Sequence, residues 1–252
     1  MSELLTIKDK IVIVTGGYRG NGLGIASGLA KEGAIVYSYD FNYDEASKFN
    51  GSFYECKGDV KSTQDFQALC KSIIAEHGRI DCLINNAGIT KPADKEAYPD
   101  EYWNQTIEIN LTAIFQLSKV VVEIMKGQND GSIINITSLG AEHGFPNNPA
   151  YIASKGGLKM MTKSFAYDYG QYGIRCNSIG PGYMKTDMTK GSYGNEERRE
   201  LMSQHTMLGR WGTPEDLVGP CAFLISNAAN YITGQDIYID GGWTASGLIQ
   251  TA

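Results

Sequence analysis

Short apolar, β-branched runs recur along the chain: IVIVT at 11–15, IVYSY at 35–39, SFYEC at 52–56, DCLIN at 81–85, SIINIT at 132–137, IRCNSI at 174–179 and DIYI at 236–239. Most are apolar throughout rather than alternating, which is the pattern of strands covered on both faces. Longer amphipathic segments separate them. Strands alternating with helices predict an α/β fold, a doubly wound seven-stranded parallel sheet with helices on both faces and right-handed crossovers. No linker, repeat or low-complexity tract divides residues 1–252, so one domain is expected. Thr213, followed by Pro214, Glu215 and Asp216, reads as a helix N-cap with a first-turn proline and acidic residues matched to the helix dipole. The polar, charged stretch 188–212 stands apart and is read as a lid over a site.

Composition narrows the functional classes. A net charge of −6 and a pI near 5.1 disfavour sequence-independent nucleic-acid binding. No apolar run reaches the length of a membrane span, and the opening MSELLTIKDK lacks an apolar stretch of signal-peptide length, so cytoplasm is the expected compartment. Cys56, Cys70, Cys82, Cys176 and Cys221 are odd in number and scattered, which fits reduced thiols. His77, His143 and His205 form no ligand pattern, and no metal site is expected.

The first strand runs into TGGYRGNGLGIA, which places Gly16, Gly20 and Gly22 between strand and helix. Glycines there let the backbone turn sharply and approach a pyrophosphate, whose charge meets free N–H groups at the helix start. Asp40 ends the second strand, 18 residues after Gly22, where a carboxylate can accept hydrogen bonds from ribose hydroxyls and would repel a 2′-phosphate. Arg19 pulls the other way, as a partner for such a phosphate. NAD is the favoured dinucleotide and NADP the alternative.

Further along, AYIASKGGL sets Tyr151 and Lys155 four residues apart, hence on one helical face about 5 to 6 Å apart at Cβ. Gly156 and Gly157 follow within the same helix. Each costs about 1 kcal/mol against Ala, so a close backbone neighbour is expected there.

Strand, glycine turn and Tyr-x-x-x-Lys in this order resemble the short-chain dehydrogenase/reductase family over nearly the whole chain. The resembling motifs are TGGYRGNG, GDV at 58–60, NNAG at 85–88, IN at 109–110, ITS closing the fifth strand, YIASK, and PGYMKT at 181–186. The resemblance implies a Rossmann-type fold and a catalytic tetrad of Asn110, Ser138, Tyr151 and Lys155. In it Tyr151 moves the proton, Ser138 polarises the substrate oxygen, Lys155 holds the nicotinamide ribose and Asn110 supports a water-linked proton path. A free Tyr has a pKa near 10, and bringing it to neutrality takes roughly 3 units, about 4 kcal/mol. Lys155 is the expected source, helped by the positive ring of oxidised nicotinamide. Ser138 lies 13 residues upstream of Tyr151 at a strand's carboxyl end, where ligands bind in open α/β sheets. The resemblance also brings Asp59 and Val60 to the adenine, Asn86, Ala87 and Gly88 to the cofactor cleft, and Pro181, Gly182 and Thr186 to the nicotinamide carboxamide. Asn21 departs from the pattern, standing within the glycine turn where an aliphatic residue is more usual. A homotetramer packed through the helix around 100–126 and the Tyr151 helix is implied as well.

HTMLGRWGTPEDLVGP, YIDGGW and PGYMKT look like members acting on sugar acids and polyols, gluconate 5-dehydrogenases among them. Candidate substrate contacts are His143, Asn147, Tyr183 and Met184, with Lys91 a partner for a carboxylate. The implied reaction is reversible hydride transfer between nicotinamide and a secondary alcohol or ketone. A 3-oxoacyl thioester reductase is the alternative enzyme, and a non-enzymatic dinucleotide sensor the alternative from another class.

Overall fold

The structure, a computed structural model, describes residues 4–44 and 48–247. Strands β1 (Ile11–Thr15), β2 (Ile35–Asp40), β3 (Lys48–Asn50), β4 (Phe53–Lys57), β5 (Cys82–Asn85), β6 (Gly131–Ile136), β7 (Ile174–Pro181) and β8 (Asp236–Ile239) form one sheet in the order β3-β4-β2-β1-β5-β6-β7-β8. The seven expected strands are all present and all parallel. The eighth, β3, is an addition: it pairs antiparallel with β4 across Gly51 and Ser52, with Gly51 at φ +66°. A Gly-x two-residue turn favours such a hairpin. Strand order reverses between β1 and β5, and at such a switch point a crevice opens at the carboxyl edge.

Both faces of the sheet are covered, which is why its strands read as continuous apolar runs. Within β1, Val12 and Val14 join a core with Ile25 and Leu29 of α1 (Gly20–Lys31) and with Leu224 of α8 (Val218–Ile225). Ile11 and Ile13 face the opposite core. It is built with Phe66 and Ile73 of α2 (Thr63–His77), Leu117 and Val121 of α4 (Ile114–Gln128), and Phe165 of α5 (Pro149–Tyr169). All five cysteines are free and buried inside these layers, and burial pushes the thiols of Cys56, Cys70 and Cys82 up to about 12. They are core side chains, inert as nucleophiles.

Helix α3 (Asp100–Ile107) continues into α4 through a π-helical turn at Glu108–Ala113. Such a turn inserts a residue and redirects the side chains on it, here Asn110. Thr213 caps as expected, in a reciprocal capping box with Asp216 ahead of a short 3₁₀ turn at Pro214–Leu217. The stretch expected as a lid carries two helices, α6 (Lys190–Gly194) and α7 (Glu196–His205). Its base is closed by a bridge between Met184 and Gly212 and by the bidentate ion pair of Arg210 with Asp216. Among the described residues no helix is long and apolar enough to cross a membrane.

Candidate active site

At the switch point the chain leaves β1 through Gly16 and Gly20, both in the left-handed region at φ +67° and +56°. A methyl on Gly16 would come within 2.7 Å of Ala87 Cα, and one on Gly22 would strike the Gly16 carbonyl. The turn is clasped from β5: the Asn86 amide donates to the carbonyls of Thr15 (3.0 Å) and Gly16 (3.1 Å), while Thr15 Oγ1 accepts from the backbone N–H groups of Asn86 and Ala87. Asn86 and Ala87 thus shape the cradle itself.

No side chain caps α1, so its first-turn N–H groups are left to an anion. Asn21 Oδ1 is buried there without a partner. The two ends of a side-chain amide are interchangeable by rotation, and the flipped amide presents a donor to the same anion. A backbone cradle that any Cβ would fill, free N–H groups and an orphaned amide together fit the diphosphate of a dinucleotide.

Asp40 is only 7% exposed. Its carboxylate accepts from the N–H of Tyr18 (3.2 Å) and from the backbone and side chain of Asn42 (2.9 and 2.8 Å), tying the glycine turn to β2. Arg19 is exposed beside it. Tyr18, half exposed and edge-on to Tyr43 at 5.3 Å, is a neighbour of this end that its sequence position did not disclose. Asp59 closes a local turn through Lys61 N, and Val60 packs partly buried on the α2 side of the sheet.

Across the switch point the four tetrad candidates come together. Ser138 follows β6 and caps a short 3₁₀ turn at Leu139–Ala141, accepting from Gly140 N–H at 3.1 Å. Tyr151 and Lys155 share a face of α5, with Lys155 Nζ 5.8 Å from the Tyr151 ring centre. Lys155 is 4% exposed and donates to the Ile136 carbonyl at 2.7 Å. Asn110, fully buried on its π turn, donates to the Ile89 carbonyl (2.9 Å) and to Ser154 Oγ (3.2 Å) and accepts from Ile89 N–H (2.8 Å). Both N–H bonds of its carboxamide are therefore taken, which makes it a clamp between the loop after β5 and α5. A methyl on Gly88 would lie 3.3 Å from Asn110 Oδ1 and 3.7 Å from Lys155 Nζ, so the bare glycine opens this centre toward the cofactor crevice.

Burial raises the Tyr151 phenol above its ordinary value, with the Ser138 hydroxyl pulling the other way, and burial lowers Lys155 to about 8. At that value Lys155 still carries its charge at neutral pH, and a cation so near the phenol favours the phenolate against the effect of burial.

On the far side, Pro181 is buried at the end of β7, and Gly182 passes so close to Asp240 that a methyl would lie 2.7 Å from its Cα. Thr186 lies over the glycine turn, its Cβ 3.5 Å from where a methyl on Gly20 would stand. A cavity of about 520 Å³ opens there between α1 and the segment leading into α6, with Lys185, Lys190 and Tyr193 on its wall. Tyr183 is the hub of an aromatic wall: Trp243 at 4.9 Å, Trp211 at 5.2 Å and Phe145 at 6.5 Å, with the His205 ring tilted against Trp243 at 3.9 Å. Of the expected substrate contacts, Tyr183 stands in this wall and His143 and Asn147 are exposed on the loop after Ser138. Met184 is turned into the core against Gly212, and Lys91 lies 4.6 Å over the Tyr102 ring. Phe145 escaped the sequence reading, and Trp211, Trp243 and His205 stood inside quoted motifs without being named as site residues. Among the described residues no group of three His, Cys, Asp or Glu side chains gathers as a metal site would.

Comparison with known proteins gives the same picture. A family profile described as Enoyl-(Acyl carrier protein) reductase matches residues 16–244. The chain is 32% identical to the 2-dehydro-3-deoxy-D-gluconate 5-dehydrogenase of Escherichia coli (strain K12), over 95% of this chain and 97% of that protein. It is 34% identical to the cyclopentanol dehydrogenase of Comamonas sp. (strain NCIMB 9872), over 95% of this chain and 99% of that one. Among solved structures it is similar to a gluconate 5-dehydrogenase from Burkholderia cenocepacia J2315 in complex with NADP and tartrate, with a TM-score of 0.91, 31% identity and coverage of 97% and 98% of the two chains.

Proposed function

Because the chain belongs to the short-chain dehydrogenase/reductase family, we propose that this NAD(P)-dependent oxidoreductase interconverts a secondary alcohol and a ketone on a sugar acid or polyol. The observation that carries the reading is the convergence of Ser138, Tyr151 and Lys155 at the sheet's carboxyl edge, opened by Gly88 toward the glycine cradle. When bound, the nicotinamide supplies the hydride acceptor or donor. Tyr151 gives or takes the hydroxyl proton, and Ser138 donates to the substrate oxygen. Lys155 donates to the nicotinamide ribose, and Asn110 holds the loop after β5 against α5. Burial raises the phenol, so Tyr151 acts as a base with positive charge beside it, which Lys155 and the oxidised cofactor together would supply. Residues 188–212 serve as the lid. The aromatic wall around Tyr183 stacks against the C–H face of a polyol while its hydroxyls reach Tyr151 and Ser138.

NAD is the proposed preference, because the buried Asp40 carboxylate would meet a dianionic 2′-phosphate at close range. The NADP in the Burkholderia structure argues for the opposite preference, and exposed Arg19 offers this chain a route to it. We also place the enzyme in the cytoplasm as a homotetramer, with Phe115, Met160 and Tyr167, exposed on α4 and α5, meeting a second copy.

The test is a panel of sugar acids, polyols, cyclic alcohols and a short 3-oxoacyl thioester, assayed with NAD and NADP side by side in wild type and Tyr151→Phe. Turnover of a sugar acid or polyol, lost about 10³-fold in the variant, supports the reading. The 3-oxoacyl thioester is the second reading, and it shares only the acyl-carrier thioester, not the reduced bond, with the family profile's description. Preference for it would replace ours, and no turnover of any member would leave the dinucleotide-sensor alternative. A tenfold better kcat/KM with NADP would overturn the role given to Asp40.

A further inference from the structure

A second polar cluster lies beside the Ser138 turn, and neither Lys159 nor Glu142 in it falls within any motif above. Its hub is Asp236 at the start of β8, whose side chain is only 6% exposed. Oδ1 accepts from Thr137 Oγ1 (3.0 Å) and Ser178 Oγ (2.5 Å), and Oδ2 accepts from the Tyr238 hydroxyl (2.5 Å) and stands 3.5 Å from Lys159 Nζ. Lys159 also pairs closely with Glu142, whose Oε1 lies 3.2 Å from the Tyr238 hydroxyl as an alternative acceptor for its single proton. Lys159 Nζ lies 5.7 Å over the Tyr238 ring, and that ring fills the space beside Gly180 on the strand that leads to Pro181.

The placement of these groups is informative. Thr137 immediately precedes Ser138, and Glu142 is the C-cap of the 3₁₀ turn that Ser138 opens, so the serine turn is held at both ends. Lys159 lies one helical turn beyond Lys155 and two beyond Tyr151, on the same face of α5. One ammonium therefore joins the helix that carries the phenol to the turn that carries the serine. Asp236 is the buried end of the cluster, whereas Glu142 keeps 39% of its side chain exposed, so the stiff, directional charge-assisted hydrogen bonds are those at Asp236.

We propose that Lys159, acting through Glu142 and Asp236, is a positioning residue that sets the distance between the Ser138 hydroxyl and the Tyr151 phenol. The inference rests on the roles proposed above for those two residues. A misplacement of about 1 Å at a reacting group can cost on the order of 100-fold in rate, so small slack in this tie is felt in turnover.

The experiment is a double-mutant cycle on kcat, with the best alcohol found in the panel. Lys159→Met is expected to lower kcat about 10- to 100-fold while leaving the KM for the dinucleotide within about twofold. In a Ser138→Ala background the same substitution is expected to cost less than about threefold, since there is no longer a hydroxyl to place. Glu142→Gln, which keeps the shape and removes only the charge, serves where Lys159→Met does not fold; it should show a smaller loss with the same non-additivity. Equal losses in both backgrounds, or wild-type kcat in Lys159→Met or Glu142→Gln, would overturn the proposal by showing an ordinary structural tie. Full activity in Ser138→Ala alone would overturn the reading beneath it, a result distinguishable from either.

Discussion

The two halves of the sheet's carboxyl edge are built on opposite principles. On the β1–β2 side the site is made by what is missing: Gly16 and Gly22 allow backbone to lie against backbone, and a methyl at either would collide with Ala87 or with the turn's own carbonyl. On the β6–β8 side it is made by what reaches in, side chains from α5 and the 138–142 turn, held by hydrogen bonds and an ion pair. A cradle for a dinucleotide needs main-chain donors at short range, which only glycine permits. A site for proton transfer needs polar groups at tuned distances, which a backbone alone does not supply.

The sharpest way to break this contrast is to exchange losses between the halves. Tyr151→Phe should lower kcat about 10³-fold with dinucleotide affinity within about twofold of wild type. Gly22→Val should do the reverse of that split, raising the dinucleotide Kd by about 100-fold or more by calorimetry, because its Cβ occupies the place of the Gly16 carbonyl. A Tyr151→Phe protein that had lost cofactor binding would erase the division. A smaller effect is expected at the aromatic wall: Trp211→Ala, which removes the ring packed on Tyr183 and Tyr193 and its bond to the Arg199 carbonyl, should raise the KM for the alcohol about tenfold and leave that for the dinucleotide unchanged.

The pH dependence of the centre sharpens the contrast from another side. Tyr151 is raised by burial, and Lys155, lowered to about 8, loses its charge as pH rises through that value. In the free protein, then, the phenol sheds its proton above pH ~10, the ordinary tyrosine value, when little cation remains nearby. Oxidised dinucleotide should bring that ionisation below pH ~10, seen in ultraviolet difference titration with Tyr151→Phe as the blank. An unchanged titration would mean that the cofactor half does not tune the proton-transfer half.

What the sequence disclosed follows the same division. The seven parallel strands were legible because burial on both faces writes unbroken apolar runs, and the glycine turn because its constraint falls on a few neighbouring residues. The aromatic wall was not legible as a wall, since Phe145, Tyr183, Trp211 and Trp243 are far apart in sequence and meet only through the sheet's winding. Helix α7, EERRELMSQH, buries no residue and so has no apolar stripe to betray it. Strand β3 is three residues long, too short for any periodicity, though the Gly-Ser turn beside it carried a usable signal. Spacing put Lys155 beside Tyr151 but did not disclose the desolvation that raises the phenol, which only the packed site shows.

Gly156 and Gly157 supply the smallest and most discriminating prediction. Both were expected to face a close backbone. Within the chain, a methyl on Gly156 meets nothing within 4 Å, whereas one on Gly157 would approach Leu111 Cδ2 to 3.1 Å, a side chain rather than a backbone. Two explanations of Gly156 thus part company. If its surface is free, Gly156→Ala gains helix propensity and stabilises the protein by roughly 1 kcal/mol, raising Tm by about 2–4 °C with kcat unchanged. If a second copy lies against it through the exposed α4 and α5 faces, the same methyl weakens assembly, and size-exclusion chromatography shows smaller species at low concentration. Gly157→Ala separates the internal term: Leu111 must give way by a few tenths of an ångström, so the propensity gain is offset in monomer and oligomer alike. A Gly156→Ala protein that is both more stable and fully assembled would remove the interface account of these glycines and leave only a tolerated cost in α5.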